Sequence, residues 1–385
     1  MKVAYCIAGL GFGDEGKGAC CEYLCRTKNA DLIVKYSGGC QAAHNVVNEA
    51  GVRFTFSQLG AGSDGRIPTY LWRNFIVDPI AMLNEAEAFK DWIGSSEDPL
   101  KNVYVHPDCP IIEKHHVLGN QNDMKNLTHG TCGRGIGVCR QEIRSGKAST
   151  WTARLIKSML DTYRSDDQKL DRVYEWASRV NITDKPPEFT TAVFEGSQGI
   201  LLDESVGFHP HTTWSKVTFD VAHACYRHLD IERYLNIGCI RTYHTRHGAG
   251  PLPTEADLGL VDEGNPENEY QGKIRFGHFD EVLFRYAVHN AGDVVDLVAV
   301  SHCDEAPSTF CPTYAVVGKD LWRPSCVEDQ ELLRRLVQNV RPVLEPITPD
   351  FWKPTPELLY RAHGPKFSDR ESSACQLRLR PVRSV

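Results

Sequence analysis

The chain begins with an apolar run, a glycine-rich loop and a stretch typical of a helix, and this order constrains its fold most. Residues 3–8 are short and apolar, which indicates a buried strand. Residues 11–17 match the pattern G-x-x-x-x-G-K, and residues 19–25, which lack Pro and Gly, predict a helix. Such a loop aims backbone N–H groups and the positive end of the helix at an anion. The sequence therefore predicts a phosphate-binding strand–loop–helix unit.

The loop departs from an ordinary P-loop at its last position. Gly18 stands where a serine or threonine hydroxyl would reach Mg²⁺. An acidic pair, Asp14 and Glu15, lies inside the loop instead. Asp14 can hold the metal or take a proton, and Lys17 can contact a phosphate oxygen. A merely flexible turn would not require these charges, so the pattern favours phosphate chemistry with a carboxylate at the reacting atom.

Strand-like and helix-like segments alternate along most of the chain. This alternation predicts an α/β fold with a mainly parallel central sheet flanked by helices. We expect a single domain over residues 1–385, with long glycine-rich active-site loops, one of them mobile over residues 119–137, and a smaller C-terminal lobe over residues 306–385. The predicted elements are strands at 31–35, 191–194, 235–240 and 295–301 and helices at 78–88, 150–163, 167–180, 217–228 and 280–290.

The composition excludes several classes of protein. A net charge of −7 offers no broad basic surface for nucleic acid, and no apolar run is long enough to span a bilayer. The apolar N-terminus runs directly into the glycine loop, which favours a first strand over a signal peptide. The 14 cysteines form no Cys-x-x-Cys pair, so we expect reduced, buried thiols in a cytoplasmic protein. We expect His115 and His116 in a solvated loop rather than in a metal cluster.

Two further glycine-containing loops carry polar side chains. In residues 35–46, His44 is a candidate general acid because its charge changes near neutral pH, and Gln41 can hold a phosphate or an amide. A core histidine beside a tight glycine turn is the alternative. Residues 129–137 combine four glycines with Thr131 and an arginine, which indicates either an anion cradle or a flexible hinge.

Three later segments add candidate ligand contacts. Gln198 follows a predicted strand and can read a base edge, and Thr213 offers a hydroxyl. Lys273 and Arg275 are two cations suited to carboxylates. Asp304 can accept hydrogen bonds from the N1–H and 2-amino groups of a guanine. The alternatives without a ligand are ordinary polar loops, a solvated basic turn and a helix cap, respectively.

The joint order of these motifs is more specific than any one of them, and it resembles the adenylosuccinate synthetase family over residues 3 to about 373. The family's opening loop, Gly-Asp-Glu-Gly-Lys-Gly, is intact at 13–18. Its pattern Thr-Arg-x-Gly-Ala-Gly-Pro-x-Pro-Thr-Glu is matched at 245–255. Variants of other family motifs stand at 38–44, 132–137 and 194–199, and a looser Gly-Pro and Asp-Arg element at 364–365 and 369–370.

The resemblance implies a two-step ligation. GTP or ATP would phosphorylate the 6-oxygen of a purine nucleoside monophosphate, and the amine of L-aspartate would then displace that phosphate. By resemblance, Asp14 is the base that removes the N1 proton, and it ligates Mg²⁺ together with the backbone carbonyl of Ala43. His44 is the acid that supports the transferring phosphoryl group, and Lys17 holds phosphate charge.

The resemblance also implies contacts with each ligand. The monophosphate would lie among Gln41, Thr131, Cys132, Arg144, Gln198 and Thr213, the triphosphate among Gly13, Glu15, Gly16, Lys17, Gly18, Asp304 and Gly364, and aspartate between Lys273 and Arg275. Arg144 is similar to the family's arginine that reaches a partner subunit's site, which implies a homodimer.

Several nucleotide-contact positions depart from the family pattern, among them Gln41, Cys132, Trp214 and His302. These changes resemble a viral branch of the family, which makes 2-aminoadenine nucleotides from aspartate and (d)GMP and would place the chain in a host cytoplasm. Asp14 instead links the chain to cellular members. We favour (d)GMP as substrate, with conversion of IMP to adenylosuccinate as the alternative. A P-loop NTPase switch and a non-catalytic nucleotide-binding protein are remoter alternatives.

Overall fold

The fold is known from a computed structural model. It describes residues 1–122, 131–146, 150–160, 168–262, 264–265, 270, 272–316, 321–322, 340–347, 356–373 and 378–382. Within these ranges, no helix is both long and apolar enough to cross a membrane.

The described residues form eighteen strands and eight α-helices. The strands are β1 (Val3–Gly9), β2 (Leu32–Lys35), β3 (His44–Val47), β4 (Arg53–Phe56), β5 (Thr69–Leu71), β6 (Val103–Val105), β7 (Asn181–Ile182), β8 (Thr191–Gly199), β9 (Arg233–Arg241), β10 (Tyr243–Arg246), β11 (Arg275–Asp280), β12 (Leu297–Ser301), β13 (Thr309–Val316), β14 (Leu321–Trp322), β15 (Val340–Pro346), β16 (Glu357–Ala362), β17 (Arg370–Ser372) and β18 (Arg380–Pro381). The helices are α1 (Lys17–Thr27), α2 (Pro79–Ile93), α3 (Lys114–Asn122), α4 (Ile136–Arg144), α5 (Ala153–Leu160), α6 (Gln168–Arg179), α7 (His223–His228) and α8 (Glu281–His289).

Eleven strands form a central sheet in the order β17-β16-β12-β9-β1-β8-β2-β5-β6-β7, with β18 beside β9. Neighbours from β16 to β7 pair in parallel, whereas β17 and β18 run antiparallel to their partners. The strands β10, β11, β13, β14 and β15 form a second sheet, and β3 pairs with β4. This order puts the carboxyl ends of the parallel strands along one edge of the central sheet.

Two apolar cores cover the faces of the central sheet. Successive side chains of β1 alternate between them, with Tyr5 and Ile7 in one core and Cys6 and Ala8 in the other. The first core includes side chains of α1 and α2, and the second includes side chains of α7 and α8. Since β1 is buried at every position, its apolar sequence is the one expected of a central parallel strand.

The predicted fold class is confirmed, and the residue range of every predicted strand overlaps that of an observed strand. The helices predicted at 78–88 and 280–290 form as α2 and α8, and each begins after an aspartate whose side chain accepts an N–H of the first turn. The helices predicted at 150–163 and 167–180 form as α5 and α6, although residues 161–163 and 167 lie outside the described residues. Ten of the twelve described cysteines are buried, and all twelve are free, as expected.

Two predicted segments are wrong in part. Residues 217–228 form a 3-10 turn over Phe219–Ala222 and only then α7, because the Thr218 hydroxyl bonds the Asp220 side chain and favours a local turn. The mobile loop expected at 119–137 overlaps α3 at one end and α4 at the other, and residues 123–130 lie outside the described residues. The predicted C-terminal lobe stays a prediction: β13 and β15 pair in the second sheet, whereas β16 and β17 extend the central sheet.

His115 and His116 lie in α3 rather than in a solvated loop, and His116 is buried. The Nε2 atoms of the two rings lie 3.2 and 3.0 Å from one carboxylate oxygen of Glu142 in α4. Nδ1 of His116 accepts the N–H of Glu113 at 3.0 Å, so its Nε2 carries the proton and donates to Glu142. The cluster therefore ties α3 to α4. Ligand atoms of Glu113, His115 and His116 also lie within 4.8 Å of one another, and a metal bound there would have to replace hydrogen bonds of His116.

Candidate active site

One cavity of about 930 Å³ lies at the carboxyl ends of the central strands. Loops that follow β1, β2, β8, β10, β12 and β16 all contribute to its wall. The predicted site residues on this wall are Gly13, Asp14, Gly16, Lys17, Gly18, Gln41, Ala43, His44, Thr131, Cys132, Arg144, Gln198, Thr213, Asp304 and Gly364. Glu15, Lys273 and Arg275 are not among the described residues that line it. Motifs spread over 350 residues of sequence thus meet around one space.

Glu15 braces the first loop from inside. Its carboxylate accepts the N–H of Gly13 at 2.6 Å and the Lys17 ammonium at 2.8 Å, and Glu15 is 5% exposed. A Cβ on Gly11 would come within 2.8 Å of this carboxylate, which explains a glycine there. The carboxylate points into the protein, so a triphosphate contact of Glu15 would have to use its backbone. Burial acts to lower the pKa of Lys17, but the paired Glu15 carboxylate and other nearby charges raise it above its usual value.

Gly18 is required by packing. A Cβ at this position would lie 2.9 Å from the His44 Cβ and 3.0 Å from the Asn45 carbonyl oxygen. The first turn of α1 therefore rests directly on β3, which carries His44. The P-loop hydroxyl is missing because no side chain fits between the two.

Gly18→Ala is therefore expected to destabilise the protein by about 1–3 kcal/mol, because the added methyl group must push β3 away. Gly119→Ala is a matched control within α3. A Cβ there would meet only Val138, at 3.6 Å, and alanine should stabilise the helix by about 0.5–1 kcal/mol. Urea unfolding of both variants measures the difference. Equal stabilities would contradict the close contact between α1 and β3.

His44 belongs to a buried charge cluster. Its Nδ1 is hydrogen-bonded to Glu195, which also pairs with Lys35 at 3.1 Å and accepts the Ala61 N–H at 2.9 Å. Glu195 and Lys35 are both fully buried. Burial acts to raise the pKa of Glu195, but Lys35 and then His44 hold it at about 2. The cluster thus fixes an ionised carboxylate behind the histidine.

The same burial lowers the pKa of His44, although Glu195 acts to raise it. The neutral ring donates its Nδ1–H to Glu195, and its buried Nε2 has no hydrogen-bond partner among the described residues. A ring oriented by a carboxylate and open at its other nitrogen can exchange a proton or a hydrogen bond with a ligand in the cavity.

Asp14 has a left-handed backbone, with φ of 63°. Arg241 donates to its carbonyl oxygen, and Nε2 of His247 lies 3.1 Å from its carboxylate Oδ2. Burial acts to raise the pKa of Asp14, but the His247 hydrogen bond and the nearby positive charges hold it at about 2. The cavity therefore presents an ionised carboxylate that can accept a proton or bind a cation.

The predicted monophosphate contacts all lie on the cavity wall. Both polar atoms of the Gln41 amide are buried and have no partner among the described residues. The Thr131 hydroxyl donates to Asn120 of α3 at 2.9 Å, which ties this loop to that helix. Arg144 pairs with Glu204 of the same chain and lies 5.9 Å from the Trp214 ring centre. Arg144 therefore faces the cavity of its own chain in this structure.

The two cations predicted for aspartate lie off the cavity wall. Arg275 is held by Glu255 at 2.8 Å and by the Gly250 carbonyl at 2.6 Å. Arg246, in contrast, lines the cavity while only 1% exposed. Its guanidinium donates only to backbone carbonyls in the described residues, and burial lowers its pKa to about 9. Arg246 is thus a buried cation ready to receive an anionic ligand.

Sequence reasoning missed four residues of the site: Lys35, Glu195, Arg246 and His247. The signal for Glu195 was a carboxylate directly after the apolar run of β8, where a buried acid needs a partner. Arg246 and His247 stand inside the matched pattern at 245–255, but their residue types alone give them no role.

Asp304 and Gly364 lie on the wall as well. Asp304 sits in a 3-10 turn after β12, and its side chain is exposed. His302 occupies the cap position of that turn. The alternative role considered for Asp304 from the sequence, that of a helix cap, is therefore wrong. Its carboxylate remains available to a ligand.

Known proteins resemble this chain along most of its length. A sequence profile of the adenylosuccinate synthetase family matches residues 6–185 and 147–342. The adenylosuccinate synthetase of Thermoplasma acidophilum is 28% identical over 359 residues, which cover 82% of this chain and 80% of that protein. The adenylosuccinate synthetase of Mycobacterium leprae is 26% identical over 401 residues, which cover 91% of this chain and 87% of that protein.

Two solved structures share the fold. Fully ligated adenylosuccinate synthetase from Plasmodium falciparum matches with a TM-score of 0.76 at 17% identity, over 96% of this chain and 99% of that chain. Cyanophage S-2L succinoaminodeoxyadenylate synthetase, bound to dGMP and dATP, matches with a TM-score of 0.67 at 18% identity, over 97% of this chain and 95% of that chain. Since the family profile spans well over half of its length, the chain belongs to the adenylosuccinate synthetase family of carbon–nitrogen ligases.

Proposed function

We propose that the chain condenses L-aspartate onto C6 of a 6-oxopurine nucleoside monophosphate through a 6-phosphoryl intermediate, and that it prefers (d)GMP to IMP. One observation carries the reaction type. The ionised Asp14 and the carboxylate-backed His44 face a single cavity that is large enough for two nucleotides and also holds the unpartnered Gln41 amide. These are the base, the acid and the polar contact that the first step needs.

In the first step, Asp14 accepts the N1 proton of the purine, and the 6-oxygen attacks the terminal phosphorus of GTP or ATP. A new P–O bond forms, and the nucleoside diphosphate leaves. The negative charge of the bound triphosphate favours a second proton on His44, at Nε2, and this N–H then donates a hydrogen bond to the transferring group. The amides of Gly16 to Gly18 hold phosphate charge at the start of α1. In the second step, the aspartate amine attacks C6, inorganic phosphate leaves, and the nitrogen loses a proton.

The residues present suit a magnesium ion. Asp14 and Ala43 both belong to the cavity wall, and carboxylate and carbonyl oxygens are the ligands that Mg²⁺ prefers. These two groups would hold the ion, which supplies charge neutralisation at the phosphate oxygens when bound. Lys17 lies on the same loop, and its ammonium would have to leave its pair with Glu15 to contact a phosphate oxygen.

The preference for (d)GMP is supported by the residues around the monophosphate. Gln41, Cys132 and Trp214 depart from the family pattern and share one cavity wall, and Trp214 packs against Gly137 of α4. The cyanophage enzyme, which was solved with dGMP and dATP, has the same fold. The Plasmodium adenylosuccinate synthetase matches with the higher TM-score, so the fold alone does not distinguish (d)GMP from IMP as the substrate. IMP is therefore the second candidate.

Parallel assays with IMP, GMP and dGMP test this proposal. Each assay contains L-aspartate, Mg²⁺ and either GTP or ATP as donor, and it follows release of the nucleoside diphosphate and formation of the succino-nucleotide. We expect faster turnover of GMP or dGMP than of IMP. Turnover of IMP alone would overturn the proposed preference for (d)GMP. Triphosphate hydrolysis without any succino-product would overturn the proposed ligase activity.

We also propose that the protein acts as a homodimer in which Arg144 reaches the partner's monophosphate. The Arg144–Glu204 ion pair would have to open for this to happen, because both side chains now face the same cavity. Mixing Arg144→Leu chains with Asp14→Asn chains tests the idea. Activity regained in the mixture supports a shared site, and no regain contradicts it.

A further inference from the structure

The side chain of His247 lies next to the proposed catalytic base. It follows β10 directly and stands at the one position before the Gly-Ala-Gly-Pro turn that the family pattern leaves open. Its Nε2 is 3.1 Å from Oδ2 of Asp14, and both residues line the cavity. A carboxylate only accepts hydrogen bonds, so the histidine nitrogen must carry the proton that joins them.

The residues behind His247 lead back to Asp14. Asn265 is close to the His247 ring, whose Nδ1 has no hydrogen-bond partner among the described residues, and Asn265 donates to Asp262 at 3.0 Å. Asp262 pairs with Arg241 at 3.0 Å, and Arg241 donates to the backbone carbonyl of Asp14. The contacts thus run from the Asp14 backbone through three side chains to His247 and return to the Asp14 carboxylate.

This ring of contacts fixes Asp14 at two points. Arg241 holds its backbone, whose left-handed φ of 63° is unusual for a residue other than glycine. His247 holds one oxygen of its carboxylate. Without that second contact, rotation about the Cα–Cβ bond would be free to move the carboxylate away from a bound purine. A displacement of about 1 Å in a reacting group can cost about 100-fold in rate.

We propose that His247 is a positioning residue: its Nε2–H holds one carboxylate oxygen of Asp14 and leaves the other to take the N1 proton of the substrate. The inference rests on the proposed function, which gives that proton to Asp14. It goes further in naming the side chain that orients the base, at a position where the family pattern specifies no residue.

Two substitutions of His247 separate orientation from packing. His247→Leu removes the donor and keeps an apolar side chain of similar length, whereas His247→Gln keeps an N–H donor. We expect the leucine variant to lose about 10–100-fold in kcat with little change in KM for the monophosphate. The glutamine variant should recover most of that loss. His289→Leu, at an exposed position at the end of α8, is the matched control and should keep full activity.

Crystal structures of the wild type and both variants provide a readout that does not depend on turnover. We expect the Asp14 carboxylate in one orientation in the wild type and the glutamine variant, and rotated in the leucine variant. Full kcat in the leucine variant, or a loss confined to KM, would overturn the inference. If the wild type forms no succino-product at all, the proposed function fails. In that case the carboxylate orientation alone decides whether His247 positions Asp14.

Discussion

Replacing Asp14 by asparagine is expected to lower kcat for ligation by about 10²–10⁴-fold, the usual effect of losing a general base. The amide cannot accept the N1 proton, whereas the native carboxylate is ionised, with a pKa held at about 2. Asparagine tolerates a left-handed backbone better than most residues, so the φ of 63° should persist and the loop should keep its shape. Steady-state rates with the most active monophosphate measure the loss.

The control for this variant is Asp257→Asn. Asp257 is exposed, lies on the loop after β10 and is not among the residues of the cavity wall, so its loss of charge should leave kcat unchanged. Calorimetric titration should show that Asp14→Asn still binds the monophosphate, because the contacts that we propose for Gln41 and Gln198 remain. An Asp14→Asn enzyme with full activity would refute the assignment of the base.

The sequence predicted those parts of the site in which local chemistry is sufficient. The first loop is one example, since Gly13, Asp14, Lys17 and Gly18 all lie within residues 13–18 and their positions follow from one strand, one turn and one helix. The cluster behind His44 is the opposite case. Lys35 and Glu195 are 160 residues apart in the chain and become direct neighbours only because β2 pairs with β8. A single sequence does not reveal that strand order.

The two cations expected to bind aspartate show a different limit. Their positive charge is the reason that Lys273 and Arg275 were predicted to bind aspartate. A charge in the sequence does not, however, show which group lies next to it in the fold. Arg275 faces Glu255, because the chain around Glu255 pairs with β11 at Gly277. Arg246, on the neighbouring strand β10, is left without a carboxylate among the described residues and turns to the cavity. Sheet register decides which cation is free, and register depends on the whole fold.

Glu195→Gln is expected to destabilise the protein by about 3–5 kcal/mol, because it leaves the fully buried Lys35 ammonium without its counter-charge. The amide oxygen can still accept the Ala61 N–H, so the loss falls on the two charge contacts. His44 would also lose the carboxylate that fixes its Nδ1, and kcat should fall together with stability. Urea unfolding and steady-state rates on the same preparation measure both effects.

The double variant Lys35→Met with Glu195→Gln shows whether the single variant is destabilised by the unpaired Lys35 ammonium or by a packing defect. Removing both charges should recover a large part of the stability, since an uncharged pair of similar size needs no buried counter-ion. Activity should stay low in the double variant, because His44 still lacks its carboxylate. Stability no better than that of the single variant would show that the ion pair is not the cause.

The dependence of this effect on pH follows from the pKa of Glu195. The value is about 2 in the folded protein and about 4.5 for a free side chain, so the ionised group stabilises the fold above pH of about 4.5. That contribution is lost as the pH falls from about 4.5 towards 2, where the folded carboxylate becomes protonated. The stability difference between wild type and Glu195→Gln should therefore be constant above pH of about 7, where His44 is neutral, and the part due to Glu195 should shrink in this acidic window. A difference that stays the same down to pH of about 3 would mean that the charge of Glu195 does not stabilise the fold.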